Sequence, residues 1–271
     1  MSSAEKAYRI SAQKNFKLND IDTKDKSLVS AGKEEREAYI SQTAPLLDEL
    51  QNRLYAENKN KVLVVLQGMD TAGKDGTIRK VFQSIDPLGV RVQAFKSPTV
   101  IESAHDYLWR VHQVVPQAGE LVIFNRSHYE DVLITRVRGW IDEAECRRRL
   151  EHINDFERLL TETGTTVIKF FLHISKEEQR ERLQKRLDDP AKNWKFNPAD
   201  LEDRKLWAQY QSQYETVIAT TSTKYAPWYV IPADSKSTRN QLILDILINR
   251  LTALNMQYPV VDTTGWPNIV E

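Results

Sequence analysis

Five short runs of apolar residues recur along the chain, each bounded by polar or turn-forming residues. They lie at 61–67 (KVLVVLQ), 90–95 (VRVQAF), 120–125 (ELVIFN), 166–174 (TVIKFFLHI) and 227–233 (PWYVIPA). Central strands of a parallel sheet are covered on both faces, so they form continuous apolar runs rather than alternating ones. The segments between the runs have helical character. The pattern therefore predicts an α/β fold, with a five-stranded parallel sheet, right-handed crossovers and helices on both faces.

Three segments lie outside this alternation. Residues 1–32 are polar and weakly patterned, whereas residues 31–59 have the apolar spacing of a helix, so residues 1–60 are predicted to form an N-terminal helical arm. In the charged segment 180–207, Pro190 and Pro198 bracket a loop between two helices, which predicts a helical lid. The residues after 254 carry turn formers and predict an extended surface tail. We interpret residues 1–271 as a single domain.

The overall charge excludes some classes of function. Lys and Arg together number 38, as do Asp and Glu, so a protein that coats nucleic acid is not expected and any anion site must come from local clustering. A single cysteine, Cys146, forms no internal disulfide and indicates a reducing compartment. The first residues lack the apolar core of a signal peptide, and no apolar run is long enough to cross a bilayer. These features predict a cytoplasmic protein that binds neither nucleic acid nor membranes.

A glycine-rich stretch, GMDTAGKDGT, follows the first predicted strand. Gly68, Gly73 and Lys74 have the G-x4-G-K spacing of a phosphate-binding loop, and a helix is predicted over about 73–85. Backbone amides and the positive end of that helix would form an anion cradle, with Lys74 as a mobile cation. A glycine turn with a surface lysine would explain the glycines but not the whole combination. The predicted phosphate-binding residues are Gly68, Thr71, Ala72, Gly73, Lys74, Asp75, Gly76 and Thr77.

Two acids lie in this loop, where a polyanion must bind. Asp70 is inside it, and Asp75 occupies the position after the lysine, where Ser or Thr is usual. Carboxylates and phosphate oxygens can share a magnesium ion, so Asp70 is predicted to be a metal ligand. For Asp75 there is an alternative, because an acid in the first turn of a helix is favoured by the helix dipole alone.

The third predicted strand leads into a second polar loop, ELVIFNRSHYED. Asn125 stands where the metal-binding aspartate of a Walker B strand is usual, and because asparagine is a poor metal ligand, that duty is expected to pass to Glu130 or Asp131. Arg126, at the carboxyl edge of the strand, is predicted to point toward the ligand.

After the second predicted strand, the turn at Pro98 could present Lys96 to an acceptor nucleotide, although a solvated lysine is the alternative. The histidines share no metal-binding spacing and are expected to pack or to lie on the surface, with His128 alone beside the predicted site.

Basic residues are dense in the second half of the chain. Arg182 and Arg186, one helical turn apart beside the proline-bounded loop, are predicted to clamp phosphate. The three arginines 147–149 are expected instead to pair with acids of their own helix. Further predicted phosphate-binding residues are Arg136, Arg138 and Lys192.

Four stretches, GMDTAGKDGT, FKSPT, FNRSHYEDVL and DDPAKNWKF, together resemble the second family of polyphosphate kinases, over about residues 17–258. The resemblance implies a P-loop kinase fold and phosphoryl transfer between inorganic polyphosphate and AMP, ADP or ATP, with Mg²⁺ or Mn²⁺. It also implies a homo-oligomer of two or four subunits. The catalytic residues it implies are Asp70, Lys74, Arg126, Arg182 and Arg186. The predicted metal ligands, from the acids of the two loops, are Asp70 and Glu130.

The form of the second loop bears on the substrate. FNRSHYED resembles the third class of the family, which accepts both AMP and ADP, whereas DRSWYNR is typical of other members. Asn125 and Glu130 carry that distinction, and with Lys96 and Pro98 they are the predicted nucleotide-binding residues. The attacking phosphate oxygen is already ionised near neutral pH, so positioning and charge neutralisation suffice without a general base.

Two alternative functions are compatible with the same residues. An ATP-dependent nucleoside monophosphate kinase would share the sheet, the loop and the lid, and would make ADP from AMP and ATP without polyphosphate. A regulator that binds nucleotide or polyphosphate without turnover would show binding but no product.

Overall fold

A computed structural model describes residues 1–11 and 15–266. The strands are β1 (Lys61–Gln67), β2 (Val90–Ala94), β3 (Leu121–Asn125), β4 (Thr165–His173) and β5 (Trp228–Pro232). They form one sheet in the order β2-β3-β1-β4-β5, and every neighbouring pair is parallel. The predicted strands are confirmed to within one residue at each end. The carboxyl ends of β1 and β3 are adjacent, since Leu66 is in register with Asn125, and this brings the two polar loops together.

The helices in the described residues surround this sheet. They are α1 (Ser3–Tyr8), α2 (Lys33–Glu57), α3 (Lys74–Val81), α4 (Val100–Ser103), α5 (Trp109–His112), α6 (Ile134–Val137), α7 (Glu143–Glu162), α8 (Lys176–Asp188), α9 (Ala199–Lys205), α10 (Trp207–Thr221) and α11 (Lys236–Thr252). Short 3-10 turns cover Leu18–Asp20, His128–Val132 and Asn193–Lys195. None of the described helices combines the length and apolar composition needed to cross a membrane.

The apolar run of β1 is explained by two hydrophobic cores, one on each face of the sheet. Val64 belongs to the core that contains Leu47 of α2 and Leu247 of α11. Leu63, on the opposite face, belongs to the core that contains Ile153 of α7 and residues of α10. Successive side chains of a strand point to opposite faces, so a strand buried on both sides must be apolar throughout. The predicted α/β fold with helices on both faces is therefore confirmed.

The N-terminal arm departs from the prediction in one place. A short helix, α1, forms where an irregular chain was expected, capped by the Ser2 side chain, which accepts a hydrogen bond from the Glu5 backbone. Arg9 then forms an antiparallel bridge with Tyr229 of β5, so the arm lies on the edge of the sheet. A helix of six residues spans too few turns to show a hydrophobic period, which is why the pattern missed it.

The helix after the phosphate loop is shorter than predicted, since α3 ends at Val81 rather than near residue 85. Phe82 leaves the helical region (φ −104°, ψ 13°). The Asp86 backbone N–H then donates to the Asp48 carboxylate of α2, at 2.8 Å. After the end of α3, the chain is therefore held by a tertiary hydrogen bond to α2 and not by helical hydrogen bonds.

The lid segment, residues 180–207, has the predicted organisation of two charged helices separated by a proline-bounded loop. The first part lies in α8, the loop contains the turn Asn193–Lys195, and α9 starts directly after Pro198. Beyond α11, residues 255–266 form neither helix nor strand and are mostly exposed, as predicted for the tail. Residues 267–271 of that predicted tail lie outside the described part.

Candidate active site

The phosphate loop, residues 68–73, joins the end of β1 to the start of α3. Its backbone has three positive φ angles, at Gly68 (154°), Thr71 (64°) and Gly73 (106°). A Cβ on Gly68 would lie 2.9 Å from the Leu172 carbonyl oxygen, so a glycine is required there by packing as well as by conformation. The Thr71 hydroxyl is buried and has no hydrogen-bond partner among the described residues. An orphaned hydroxyl in this loop fits a ligand with acceptor oxygens.

Lys74 lies folded into the loop. Its Nζ donates to the carbonyl oxygens of Gly68 (2.8 Å) and Met69 (3.3 Å), and the residue is buried. Burial, followed by repulsion from Arg126, lowers the pKa of Lys74 to about 8, although nearby carboxylates oppose the shift. The ammonium group therefore has only carbonyl dipoles in direct contact, a state that favours the approach of an anion.

Three further charged side chains surround Lys74. Arg126, at φ 61°, directs its Nη2 to Asp70 Oδ1 at 2.8 Å. Burial by itself lowers the pKa of Arg126, but Glu130 and Asp70 outweigh it and raise the pKa above its usual range. Burial raises the pKa of Glu130, against the opposing charges of Arg126 and Lys74. The structure thus brings together Asp70, Lys74, Arg126 and Glu130 from the ends of two adjacent strands.

Gln67 links this cluster to the second loop. In the orientation that satisfies both amide atoms, its nitrogen donates to Glu130 Oε1 at 3.1 Å and its oxygen accepts from the Ser127 backbone. Sequence reasoning missed Gln67, although a polar residue at the end of an otherwise apolar strand was a signal for it.

Asn125 and Asp75 are in direct contact, since Asn125 Nδ2 donates to Asp75 Oδ1 at 2.7 Å. The usual arrangement has a hydroxyl after the loop lysine and an aspartate at the strand end. Here the carboxylate is on the helix and the neutral amide is on the strand. Relative to the usual arrangement, the carboxylate is therefore supplied from position 75 on the helix instead of position 125 on the strand.

Arg182 does not have the free guanidinium expected of a phosphate clamp. Its Nη1 donates to the carbonyl oxygens of Thr71 (2.9 Å) and Ala72 (3.1 Å), and its Nη2 donates to those of Ala233 (2.7 Å) and Asp234 (2.9 Å). Its Nε donates to Glu178, at 2.7 Å. All five N–H groups are accounted for. In this structure Arg182 supports the phosphate loop from behind, and its role as a phosphate clamp stays a prediction.

Arg186 lies within the lid segment, where its Nη1 donates to the Lys195 carbonyl (3.0 Å) and to Asp200 (3.2 Å). The pKa of Asp200 is raised to about 6, first by burial and then by the charge of Asp70. Arg182 and Arg186 share one helix face, as their spacing predicted, but they serve different neighbours.

The other predicted phosphate ligands are spread more widely. Arg138 Nη2 contacts Asp203 Oδ1 at 2.5 Å and so ties α6 to α9, and exposed Lys192 pairs with Asp189. Arg136 is half-buried and forms no ion pair with any described residue. The structure does not bring these three side chains into contact with the phosphate loop.

The predicted nucleotide residues Lys96 and Pro98 follow the edge strand β2 and are exposed. Pro98 lines a cavity of about 260 Å³ that also includes Tyr107 and Arg110. Of the two acids proposed for the metal, Asp131 turns away from the cluster and pairs with Arg110 at 3.3 Å. Glu130 is therefore the acid of this loop that faces Lys74.

Two predictions about residues outside the site are confirmed. The arginines 147–149 pair with Glu143 and Glu145 of their own helix. His128 is fully buried and its Nε2 lies 3.3 Å from Glu157, so it packs behind the second loop and not in the site.

Comparison with known proteins identifies the family. Residues 29–259 match the model of the polyphosphate kinase 2 family. The chain belongs to the polyphosphate kinase 2 family. The polyphosphate kinase 2 relatives include a protein of Meiothermus ruber named AMP/ADP-polyphosphate phosphotransferase, which is 53% identical over 98% of this chain and 100% of its own length. An ADP-polyphosphate phosphotransferase of Rhodopseudomonas palustris is 42% identical over 79% of this chain and 78% of its own.

A solved structure supports the fold of this polyphosphate kinase 2 member. The crystal structure of Polyphosphate Kinase 2 from Arthrobacter aurescens TC1 has a TM-score of 0.93 and 42% sequence identity, covering 96% of this chain and 93% of that one. The predicted P-loop kinase fold and the family resemblance are both confirmed.

Proposed function

We propose that this protein transfers phosphoryl groups from inorganic polyphosphate to AMP and ADP, forming ADP and ATP. The observation that carries the proposal is the acidic cluster at the phosphate loop, where Asp70 of that loop and Glu130 of the second loop face Lys74 and Arg126. A loop that only bound a phosphate anion would be weakened by two acids. The name of the Meiothermus ruber relative, aligned over almost the whole chain, supports the same activity.

The loop binds the transferring phosphate chain through its backbone amides and the start of α3. Lys74 is already poised there as a buried cation without a carboxylate in direct contact. Arg126 lies beside Asp70 at the mouth of the loop, where it can neutralise charge on the phosphoryl group in transit. Because phosphoryl transfer needs positioning and charge stabilisation more than covalent chemistry, these side chains act without a general base.

The donor set around the loop fits a magnesium ion, with manganese as a substitute. Asp70, Asp75 and Glu130 offer carboxylate oxygens, but no three acids, histidines or cysteines in the described part of the chain form a metal site by themselves. This fits Mg²⁺, which in proteins is held by one or two carboxylates together with substrate phosphates and water. When bound, the ion would neutralise phosphate charge. Asp75, held by Asn125, takes the place of the usual strand aspartate.

We assign the acceptor nucleotide to the side of the site formed by Lys96, Pro98, Asn125 and Glu130. Glu130 and Asn125 support membership of the third class, which accepts both AMP and ADP. Arg186, Arg136, Arg138 and Lys192 are proposed to contact the phosphate chain when the lid segment closes. A cytoplasmic location and an assembly of two or four subunits stay predictions.

The test is a donor comparison. Purified protein is incubated with Mg²⁺ and either AMP or ADP, once with long-chain polyphosphate and once with ATP as the donor for AMP. We expect ADP and ATP with polyphosphate and little product with ATP alone. ADP formed from AMP and ATP, with no product from polyphosphate, would instead identify an ATP-dependent monophosphate kinase. Tight binding of polyphosphate without any product would identify a regulator.

A further inference from the structure

Arg239, in the first turn of α11, lies directly beneath the phosphate loop and is 1% exposed. A Cβ at Gly73 would be only 1.9 Å from its Nη1, so the glycine leaves the space that the guanidinium fills. No feature of the local sequence pointed to this contact, because the two residues are far apart along the chain.

The guanidinium has neutral partners only. Its Nη1 donates to the Ala72 carbonyl at 2.9 Å, and its Nε and Nη2 donate to Asn240 Oδ1 at 3.1 and 2.9 Å. Among the described residues, no carboxylate forms an ion pair with it. Another cation, Arg182, donates to the same carbonyl. Burial, and then repulsion by Arg182, lowers the pKa of Arg239 to about 9.

A buried cation without a counter-ion is unfavourable in the free protein. The two arginines grip the carbonyl of Ala72, and in a trans peptide the N–H of the next residue points the opposite way. The Gly73 N–H is therefore directed to the other side of the loop, where a phosphate oxygen can accept from it. Bonds made to one end of a peptide polarise the other end. The ligand anion is thus placed across a single peptide group from the buried charge.

We propose that Arg239 is a positioning residue for phosphate, and that its counter-ion is the phosphate chain bound on the opposite side of the Ala72–Gly73 peptide. The inference rests on the proposed phosphate-binding role of the loop. It differs from a purely structural role, in which Arg239 would only brace the loop. Removal of a brace lowers stability, whereas removal of an uncompensated charge weakens anion binding without lowering the stability of the free protein.

The experiment measures tripolyphosphate binding by calorimetry in EDTA, and the melting temperature of the ligand-free protein, for Arg239→Met, Arg239→Gln and Arg239→Lys. We expect Met and Gln to weaken tripolyphosphate binding about tenfold or more, because every 1.4 kcal/mol is a factor of ten. Lys, which keeps the charge, should bind much closer to wild type. The melting temperature of Arg239→Met should be no lower than that of wild type, because both acceptors retain a hydrogen-bond donor. Arg182 still donates to the Ala72 carbonyl, and the Thr77 hydroxyl still donates to Asn240 Oδ1.

Arg36→Met is the matched control. Arg36 is also buried, and it donates to the carbonyls of Ser30 (2.5 Å) and Ala31 (2.6 Å) and to Ser237 Oγ (2.9 Å), none of which belongs to the phosphate loop. Its loss should leave tripolyphosphate affinity unchanged. Wild-type affinity in Arg239→Met, equal losses in the Lys and Gln variants, or an unfolded Arg239→Met would each overturn the inference. Failure of wild type itself to bind tripolyphosphate, both in EDTA and with Mg²⁺ present, would contradict the proposed function instead.

Discussion

Two buried charged groups in this protein are treated in opposite ways. Behind the sheet, Lys169 of β4 lies 2.6 Å from Glu157 of α7, and both are fully buried. Tyr129 and the Thr221 carbonyl complete their hydrogen bonds. Under the phosphate loop, Lys74 and Arg239 are also buried but contact only neutral groups.

The difference between the two regions indicates where an anionic ligand is expected to bind. The charge of Lys169 is compensated by Glu157 within the protein, and the Lys169 ammonium in turn holds the pKa of Glu157 low despite burial, which would raise it. The cations of the loop lack such a partner, so only a ligand can compensate them. The Lys169–Glu157 pair therefore stabilises the fold, whereas the uncompensated cations of the phosphate loop favour the binding of phosphate.

The largest effect is expected from Lys74→Met. Turnover should fall by about 10³-fold or more, because a cation that stabilises the transferring phosphoryl group is lost. The free energy of unfolding near neutral pH should not fall, since a buried ammonium without a carboxylate is removed. Initial rates and urea denaturation measure the two quantities, with Arg79→Ala on the exposed side of α3 as the control. A strong loss of stability would make Lys74 a structural residue and weaken the comparison.

The paired region should respond in the reverse sense. Glu157→Leu strands the Lys169 ammonium in the core and should lower the free energy of unfolding by about 3–5 kcal/mol. The double variant with Lys169→Met should recover most of that loss, because both charges are then absent. Urea denaturation of the single and double variants measures this. A double variant no more stable than Glu157→Leu would show that packing, not charge, dominates there.

The depressed pKa of Lys74 gives a pH dependence. Its value falls from an ordinary 10.5 to about 8 in the folded protein. Between these values the unfolded chain binds more protons than the folded one, so stability rises with pH. The ligand-free wild type should therefore gain up to about 3 kcal/mol relative to Lys74→Met as the pH rises from 8 toward 10.5. Parallel stability curves for the two proteins would show that the ammonium is not destabilised by burial.

Exchange of Asp75 and Asn125 tests whether the Asp75 carboxylate contributes to Mg²⁺ binding. Asp75→Asn should raise the Mg²⁺ concentration needed for half-maximal activity by roughly tenfold, the order expected when one interaction of about 1.4 kcal/mol is lost. The double variant Asp75→Asn, Asn125→Asp places a carboxylate back beside the loop and should restore part of the response. A magnesium titration of activity tests this. If Asp75→Asn titrates like wild type, the acid serves only the helix dipole.

The smallest effect is expected in α7. Arg148 is 60% exposed and pairs with Glu145, so Arg148→Ala should change the free energy of unfolding by less than about 0.5 kcal/mol. Its activity with polyphosphate should equal that of wild type. A marked fall in activity would assign the arginine stretch to polyphosphate binding after all.

The fold was predictable because its signals are local. Each strand is a buried apolar run, and the phosphate loop is identified by glycine and lysine spacing within a few residues. The helix α1 was missed because it is short and is held by contacts with β5 and α11.

The site was predictable only in part. Asp70, Lys74, Arg126 and Glu130 follow strand ends, and parallel strands bring such positions to one edge. Arg182 had the correct spacing for a clamp, but only the three-dimensional structure shows that its donors are all used by carbonyls and Glu178. Arg239 could not be found, because no local pattern connects it to Ala72, from which it is separated by 167 positions in the sequence.

The central claim is that phosphoryl groups pass from polyphosphate to the nucleotide. The most direct test follows ³²P from labelled polyphosphate to AMP. Protein is incubated with ³²P-labelled long-chain polyphosphate, unlabelled AMP and Mg²⁺, and the nucleotides are separated over time for wild type and Lys74→Met. The account predicts label first in ADP and then in ATP with wild type, and almost none with the variant. Label that stays in polyphosphate, or is released only as orthophosphate, would contradict it.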